Sequence, residues 1–401
     1  MKKFYPLDVL AVRRMNMAGR AKIGIEHPYF EVIDRAEERA AAAGHRYVNF
    51  AHYDYLGLIG HPEIQAATHE ALDRYGTGVL ASRLVGGERS FHGIFERNVA
   101  DFLGQGFSMA LVSGYLTNVT LLNHLLGQND LLIMDEYSHS SILTGASSSR
   151  APKLFFNHND LGHLEELLKE HRDKHRNCLI AIEGIYSMDG DIPDLPGILE
   201  LKERYGAWLL IDEAYSFGVL GKTGRGICEH YGTDPKRVDI VIGTLSKAMV
   251  SCGGFIAAHE AVIEWLRFTL PGFMYSVGLS PIIAAAANTA LGIIRREPER
   301  VERLHAVGRH FLERAAAAGL STGDSIGFGV IPILFETPEQ TLAAGAMLKA
   351  SDIYAPPIVQ LGVPKNAPRI RFFLSAKHRF EDIDRTIDLI AANIEKGQRP
   401  A

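Results

Sequence analysis

Cysteine is scarce in this chain: Cys178, Cys228 and Cys252 are its whole complement among 401 residues, and no two form a Cys-x-x-Cys pair. So small and scattered a set excludes a disulfide scaffold and fits a reducing compartment. Long apolar runs are missing too. None approaches the ~18 residues of a membrane-spanning helix, so no integral membrane segment is expected. Neither sign of charge dominates. The formal net charge is −5, with no long acidic or basic block, which argues against nucleic acid or an anionic membrane surface as the main partner. The opening stretch Met1-Lys2-Lys3-Phe4-Tyr5-Pro6 has two lysines, but no apolar core follows and Arg13, Arg14 and Arg20 interrupt what does. No signal peptide is expected, and the expected location is cytoplasmic. Internal repeats and low-complexity segments are also absent.

What remains is an ordinary globular composition, 47% hydrophobic and 22% charged, in a chain long enough for two or three domains. Residues 1–50 are charged and helical in pattern, with an Ala-rich stretch at 36–43, and read as an N-terminal arm or helical segment. From about residue 105 short apolar runs recur at 107–113, 130–134, 152–156, 178–183, 207–212, 238–243 and 253–258. Each is strand-length and nearly continuous, the pattern of strands buried on both faces. Helical patterns separate them, as at 160–173 and 196–205, where Pro196 suits a helix start. Strand–helix alternation predicts an α/β domain with a mostly parallel sheet over 51–285. Beyond that lie an Ala-rich helical stretch (282–318), a strand candidate at 327–335, a helix at 338–350, a strand candidate at 369–374 and a closing helix at 380–396. These predict a smaller C-terminal α+β domain over 286–401.

Ligands of open α/β sheets bind beyond the carboxyl ends of the strands, so the residues that follow each run carry the functional reading. The first run leads into Ser113-Gly114-Tyr115-Leu116-Thr117-Asn118, a turn whose backbone amides would open a helix and suit a phosphate. The second leads into Tyr137-Ser138-His139, the fourth into Glu183 and then Ser187, the fifth ends at Asp212 with Tyr215 beyond, and the sixth ends in Gly243-Thr244-Leu245-Ser246-Lys247. Together they offer what pyridoxal-5′-phosphate (PLP) needs: a lysine for the imine, a carboxylate for the pyridine nitrogen, an aromatic ring to stack, and hydroxyls and amides for the phosphate.

These stretches resemble the α-oxoamine synthases, a branch of the fold-type I PLP enzymes that includes 8-amino-7-oxononanoate synthase, 2-amino-3-ketobutyrate ligase, 5-aminolevulinate synthase and serine palmitoyltransferase. The matching segments are DYLGLIGHP (54–62), GTGVLASRLVGG (76–87), SGYLTN (113–118), YSHSSI (137–142), EGIYSMDGD (183–191), IDEAYSFGVLGKTGRG (211–226), GTLSKA (243–248) and RIRFFLSAKH (369–378), in family order over about residues 50–390. The resemblance implies a fold-type I PLP-dependent transferase: a large domain with a seven-stranded, mostly parallel sheet, its last strand antiparallel, and a small C-terminal α+β domain. It implies that Lys247 carries PLP as a Schiff base and removes the Cα proton, that Asp212 pairs with the pyridinium nitrogen, and that His139 stacks on the ring. Thr244 and the backbone of Gly114 and Tyr115 would hold the phosphate, Ser276 would reach the phosphate of a neighbouring subunit, and Ser187 would lie close to the ring. Arg371 would clamp the amino-acid carboxylate, a task suited to its planar fork. The implied reaction is a decarboxylating Claisen condensation of serine, alanine or glycine with an acyl thioester of coenzyme A or acyl carrier protein, in a homodimer with shared sites. Two positions depart from the usual pattern. Tyr215 stands where the family has histidine, and a cofactor-binding role is assigned to its hydroxyl. Tyr53, expected to bind substrate, replaces the usual asparagine in a way similar to the serine palmitoyltransferase branch and favours serine with a long acyl chain, whereas GTGVLASRLVGG is more like the other branches.

Plainer readings stand beside these. A lone lysine at a strand end is usually a surface charge, Asp212 could cap a helix, and His139 could merely pack. Arg369 and Arg371 alternate onto one strand face, so spacing does not choose between them, and Arg371 follows from the resemblance alone. His171 and His175 have metal-ligand spacing, but they sit among charged residues and read as a solvated face, so no metal is expected. Lys222-Thr223-Gly224 matches a box of the penicillin-binding serine enzymes but lacks the upstream Ser-x-x-Lys partner. The alternatives in function are an aminotransferase or other amino-acid PLP activity, and, more remotely, a non-catalytic subunit of the PLP fold.

Overall fold

The computed structural model describes residues 5–17, 32–33, 39–42, 45–359 and 367–397. Its strands, in chain order, are β1 (Arg39–Ala42), β2 (His45–Asn49), β3 (Phe107–Leu111), β4 (Leu131–Asp135), β5 (Lys153–Phe156), β6 (Cys178–Glu183), β7 (Trp208–Asp212), β8 (Ile240–Thr244), β9 (Gly254–Ala258), β10 (Val330–Leu334), β11 (Ile353–Tyr354), β12 (Pro357–Ile358) and β13 (Arg369–Phe373).

All seven apolar runs become strands of one sheet, in the order β3-β9-β8-β7-β6-β4-β5. Pairing is parallel from β8 through β5, while β9, the last of the seven in sequence, runs antiparallel to both β8 and β3. Every residue of β4, β6, β8 and β9 is buried. The reason is visible in the period of two. Along β6 and β7, Ile180, Ile182, Leu209 and Ile211 enter one core, while Leu179, Ala181 and Leu210 enter the other. Helices cover both faces, so neither set of alternate side chains meets water. The intervening helices start where the sequence supplies caps: Asp160 accepts from the His163 amide at 2.9 Å ahead of Leu161–His171, and Asp194 does the same for Leu195–Tyr205, with Pro196 in its first turn.

The C-terminal elements form a three-stranded sheet, β10-β13-β12, with β13 in the middle and antiparallel to both neighbours. The Ala-rich stretch at 282–318 is two helices rather than one, Pro281–Arg296 and Glu299–Ala317. They part at Pro298, whose ring cannot continue the first helix and which instead caps the second. The helical pattern at 36–43 is overturned where the structure describes it. Residues 39–42 are β1, paired antiparallel with β2, and β2 pairs in parallel with β11. Alanine's helix propensity is small beside a tertiary pairing that buries Tyr47, Val48 and Phe50. Ser187, Met188 and Asp189, just beyond β6, bridge to the smaller sheet: Arg369 and Arg371 of β13 both reach back to them.

Candidate active site

Parallel pairing puts the carboxyl ends of β6, β7 and β8 side by side, with Glu183 opposite Asp212 and Asp212 opposite Ile242. A cavity of about 170 Å³ opens there, and Gly114, Tyr115, His139, Asp212, Tyr215, Thr244 and Lys247, seven of the residues singled out in the sequence, line it. Buried side chains from five separate turns converge on this space.

Asp212 accepts from the side-chain amide of Asn118 at 2.6 Å and from the Ala214 amide at 2.9 Å. The second hydrogen of that same Asn118 nitrogen goes to Ser141 Oγ at 2.9 Å. Ser141 Oγ lies 2.8 Å from His139 Nδ1, which also accepts from the Ser141 amide at 3.2 Å. With Nδ1 an acceptor, the imidazole carries its proton on Nε2. Burial lowers the His139 pKa below that of free imidazole, with Lys247 and Arg371 adding to the effect and Asp212 opposing it. The ring is therefore a neutral plate, fixed at the N-cap of the helix Ser140–Ser148. Glu183 accepts from the His139 backbone amide at 2.5 Å. Complete burial, with the negative charge of Asp212 next to it, holds the Glu183 pKa well above the ordinary value.

Burial also pushes the Lys247 ammonium down to about 8, against the upward pull of Asp212 and Glu183. Its Nζ lies 4.0 Å from the centre of the Tyr215 ring and 5.4 Å from that of Tyr53. Tyr215 thus presents its ring face, not its hydroxyl, to the lysine. Burial keeps that hydroxyl protonated. On the other wall, Thr244 Oγ1 lies 2.8 Å from Ser246 Oγ. Gly114 has no substitute there: a Cβ on it would stand 2.7 Å from Thr244 Oγ1. The helix Gly114–Leu125 begins at this point, where the first amides of a helix lack internal partners.

The remaining sequence-derived residues lie outside this lining. The Arg371 Nη1 donates to Ser187 O at 2.7 Å, its Cζ lies 4.4 Å from the centre of the Phe373 ring, and its buried Nε has no partner among the described residues. Arg369 is committed elsewhere: it is 3% exposed, ion-paired to Asp189 at 2.5 Å and bonded to Met188 O at 3.0 Å. Arg371 forms no ion pair among the described residues. Tyr53, 37% exposed, stands at the mouth with its ring 4.7 Å from Phe373. Ser276 is not part of the lining and follows the short helix Pro271–Met274, between the exposed side chains of Tyr275 and Val277.

Asn118, Ser141, Glu183 and Ser246 were not singled out from the sequence. The signal available for Glu183 was a carboxylate ending an apolar strand, the same signal that marked Asp212. Two other motifs resolve into plain structure. Thr223 donates to Glu229 through both its amide and hydroxyl, which makes Lys222-Thr223-Gly224 part of a turn. His175 bonds to the backbone oxygen of His171 at 2.9 Å. A larger cavity of about 670 Å³ opens at the opposite, amino ends of the strands and contains both tryptophans, Trp208 and Trp265. Its charged groups, such as Lys236 and Glu260, are exposed, so it lacks the buried lysine–carboxylate set that marks the smaller one.

Residues 45–390 match the family model for class I and II aminotransferases. The 8-amino-7-oxononanoate synthase of Alkaliphilus oremlandii is 35% identical over 352 residues, covering 88% of this chain and 89% of that one. The chain belongs to the α-oxoamine synthases. A second relative of that name, from Treponema denticola, is 35% identical over 346 residues, 86% of this chain and 87% of its own. Among solved structures, the serine palmitoyltransferase of S. paucimobilis superposes with a TM-score of 0.92 at 26% identity, covering 97% of this chain and 99% of that one. This α-oxoamine synthase therefore has the fold-type I architecture and is a PLP-dependent enzyme. The donor set fits that cofactor: a buried lysine, an aspartate with both oxygens hydrogen-bonded beside it, a neutral imidazole plate, and a glycine–threonine cradle that a Cβ would fill. Among the described residues no helix is long and apolar enough to cross a membrane.

Proposed function

We propose that this α-oxoamine synthase joins a small amino acid (serine, alanine or glycine) to an acyl thioester with loss of carbon dioxide, and that the residues gathered at the ends of β6–β8 and on β13 do the work. The observation that carries this reading is the guanidinium of Arg371, which forms no ion pair among the described residues, near the Lys247–Asp212–His139 group. A guanidinium without an ion pair among the described residues supports the docking of an α-carboxylate there, close to a lysine whose pKa is lowered to about 8.

PLP, when bound, supplies an electron sink for negative charge developing at the substrate's Cα. Lys247 holds the cofactor and moves the Cα proton, and its pKa of about 8 leaves it able to both accept and return one. Asp212, oriented by Asn118 and Ala214, would keep a proton on the ring nitrogen. His139 would support the ring. Gly114, Tyr115 and Thr244 would hold the phosphate, Ser187 would serve the same site, and Tyr215 lines the pocket next to Lys247. Tyr53 and Phe373 form an aromatic wall at the mouth, suited to the acyl chain. Burial excludes water and strengthens the charge pairs.

The names of the relatives frame the choice of substrate. An 8-amino-7-oxononanoate skeleton, cut at C7–C8, gives alanine and a seven-carbon acyl group ending in a carboxylate; serine palmitoyltransferase names serine and a palmitoyl group. A thiol-release assay with serine, alanine and glycine against both kinds of thioester tests the proposal. Release is expected with one amino acid–thioester pair. No release with any of them, together with amino-group exchange between amino and keto acids, would favour the aminotransferase reading. The working unit is proposed to be a cytoplasmic homodimer, since Tyr275 and Val277, which flank Ser276, are exposed and none of the three lines the pocket. A fully active monomer by light scattering would refute the shared site.

A further inference from the structure

A second buried cluster lies next to the catalytic group, and the mechanism above does not use it. His158, two residues beyond β5, sits between two carboxylates: Nδ1 is 2.9 Å from Asp135, the last residue of β4, and Nε2 is 2.7 Å from Asp191. Both acids are buried, and the imidazole side chain is 16% exposed. Tyr137 stacks on it at 4.3 Å and 23°, and Tyr186 meets it edge-on at 4.5 Å. With both ring nitrogens engaged by carboxylates, His158 has no free position for a substrate or for proton transfer. The two acids hold it protonated, raising its pKa to about 10 although burial pulls the other way. Asn159 reinforces the arrangement, its amide bonding to Asp135 at 3.0 Å and its side chain to Asp191 at 2.7 Å.

Asp191 closes a tight turn. The Tyr186 amide donates to Asp191 O at 3.0 Å, and the Gly190 amide to Tyr186 O at 2.8 Å. On its outer side the same turn holds β13: Ser187 O receives Arg371, and Met188 O and Asp189 receive Arg369. Gly190 sits against β10 with φ +71°, and a Cβ there would lie 2.1 Å from Val330 O, so the turn has no slack on that side either. One face of the turn is thus tied to the large sheet through the His158 imidazolium, with Asn159 beside it, and the other face sets the position of Arg371.

We propose that His158 is a positioning residue for amino-acid recognition: as a cation clamped between Asp135 and Asp191, it fixes the 186–191 turn, and the turn fixes Arg371 relative to Lys247. This rests on Arg371 being the seat of the substrate carboxylate. The clamp acts on where the carboxylate docks, not on the chemistry or on the thioester. The test uses the holoenzyme and follows the change in cofactor absorbance on adding the amino acid, together with KM and kcat for both substrates. His158→Gln removes the cation at similar size, and Asp191→Asn removes one carboxylate charge with no change of volume. In His158→Gln the amino-acid Kd and KM are expected to rise about tenfold, with thioester KM and saturated kcat within about twofold and full cofactor content. Asp191→Asn should move the same constant in the same direction by less. Should His158→Gln fail to fold, Asp191→Asn decides. Wild-type amino-acid affinity in the variants, or thioester KM and kcat deteriorating in step with it, overturns the clamp. Arg371→Ala separates the two ideas. If it leaves amino-acid affinity intact, the carboxylate assignment is wrong; if it weakens affinity while His158→Gln and Asp191→Asn do not, only the clamp is wrong.

Discussion

Arg369 and Arg371 share a strand and a face, yet their truncation should have opposite signatures. Arg369 is almost fully buried and holds Asp189 and Met188 O. Removing one partner of a buried ion pair costs ~3–5 kcal/mol. Because the Asp189 side chain is 24% exposed, water recovers part of this, leaving about 2–4 kcal/mol. With an unfolding entropy of ~2.1 cal/mol/K per residue, that corresponds to a Tm lowered by roughly 2–5 °C. Arg371 gives up a bond to one carbonyl and leaves no carboxylate stranded, so Arg371→Ala should cost about 1 kcal/mol and shift Tm by ~1 °C. Its effect should appear on adding the amino acid instead. Loss of a charge-assisted bond of ~1.5–3 kcal/mol weakens binding about 10- to 150-fold, with cofactor content unchanged. Thermal melts and an absorbance titration of both alanine variants check this. A stable Arg369→Ala that binds amino acid worse than Arg371→Ala would show that the carboxylate docks on the other arginine.

Lys247 should capture PLP in the apoenzyme with a rate that climbs as pH rises through about 8, because only the neutral amine reacts and burial has lowered its pKa to that value. At pH 7 about a tenth of it is neutral, roughly 300 times the fraction for a free lysine at ~10.5. A midpoint near 10.5, or a hydride-fixed cofactor on a peptide lacking Lys247, would refute the assignment. Tyr215→Phe keeps the ring that faces Lys247 and deletes the hydroxyl, whereas Tyr215→Leu deletes both. If the ring contact matters most, Phe should leave that midpoint in place and Leu should lower it by ~0.4–1.5 units, since a cation over an aromatic face gains ~0.5–2 kcal/mol. A large change of spectrum in Tyr215→Phe would point to the hydroxyl instead. Gly114→Ala puts a methyl 2.7 Å from Thr244 Oγ1 and should weaken cofactor retention during dialysis; undiminished retention would remove Gly114 from the cradle.

Much of this was legible in the chain because the large sheet is buried on both faces. Each strand is written as an unbroken apolar run, and the residue that ends it falls at the ligand-binding edge. That logic reaches Asp212 and Lys247 without structural help. It does not reach Asn118, whose importance lies in a 2.6 Å bond to a residue 94 positions away. Nor does alternation along β13 separate Arg371 from Arg369, since the discriminating partner is Asp189, some 180 positions earlier. The break at Pro298 was written plainly and was overridden by the alanines around it. The two-residue strands β11 and β12 are too short to have a period, and β1 exists through its pairing with β2, against its local alanine preference.

The union of β2 with β11 sets a timetable for synthesis. Val48 waits for Ile353, about 300 residues later in the chain. At ~5–20 residues per second, a ribosome delivers that partner roughly 15–60 s after β2 has left it. The neighbouring stretch is in the same position: Phe50 O is taken by the Phe373 amide, Tyr55 O by Ala376, and Asn49 O by the ring of His378. The pocket around Lys247, assembled almost wholly from residues 114–247, therefore has its lining emerged while the aromatic mouth at Tyr53 still lacks its backing. A nascent chain halted near residue 350 would hold the pieces of a cofactor cradle but no finished doorway, and its β2, paired with β1 alone, would offer an open edge to chaperones.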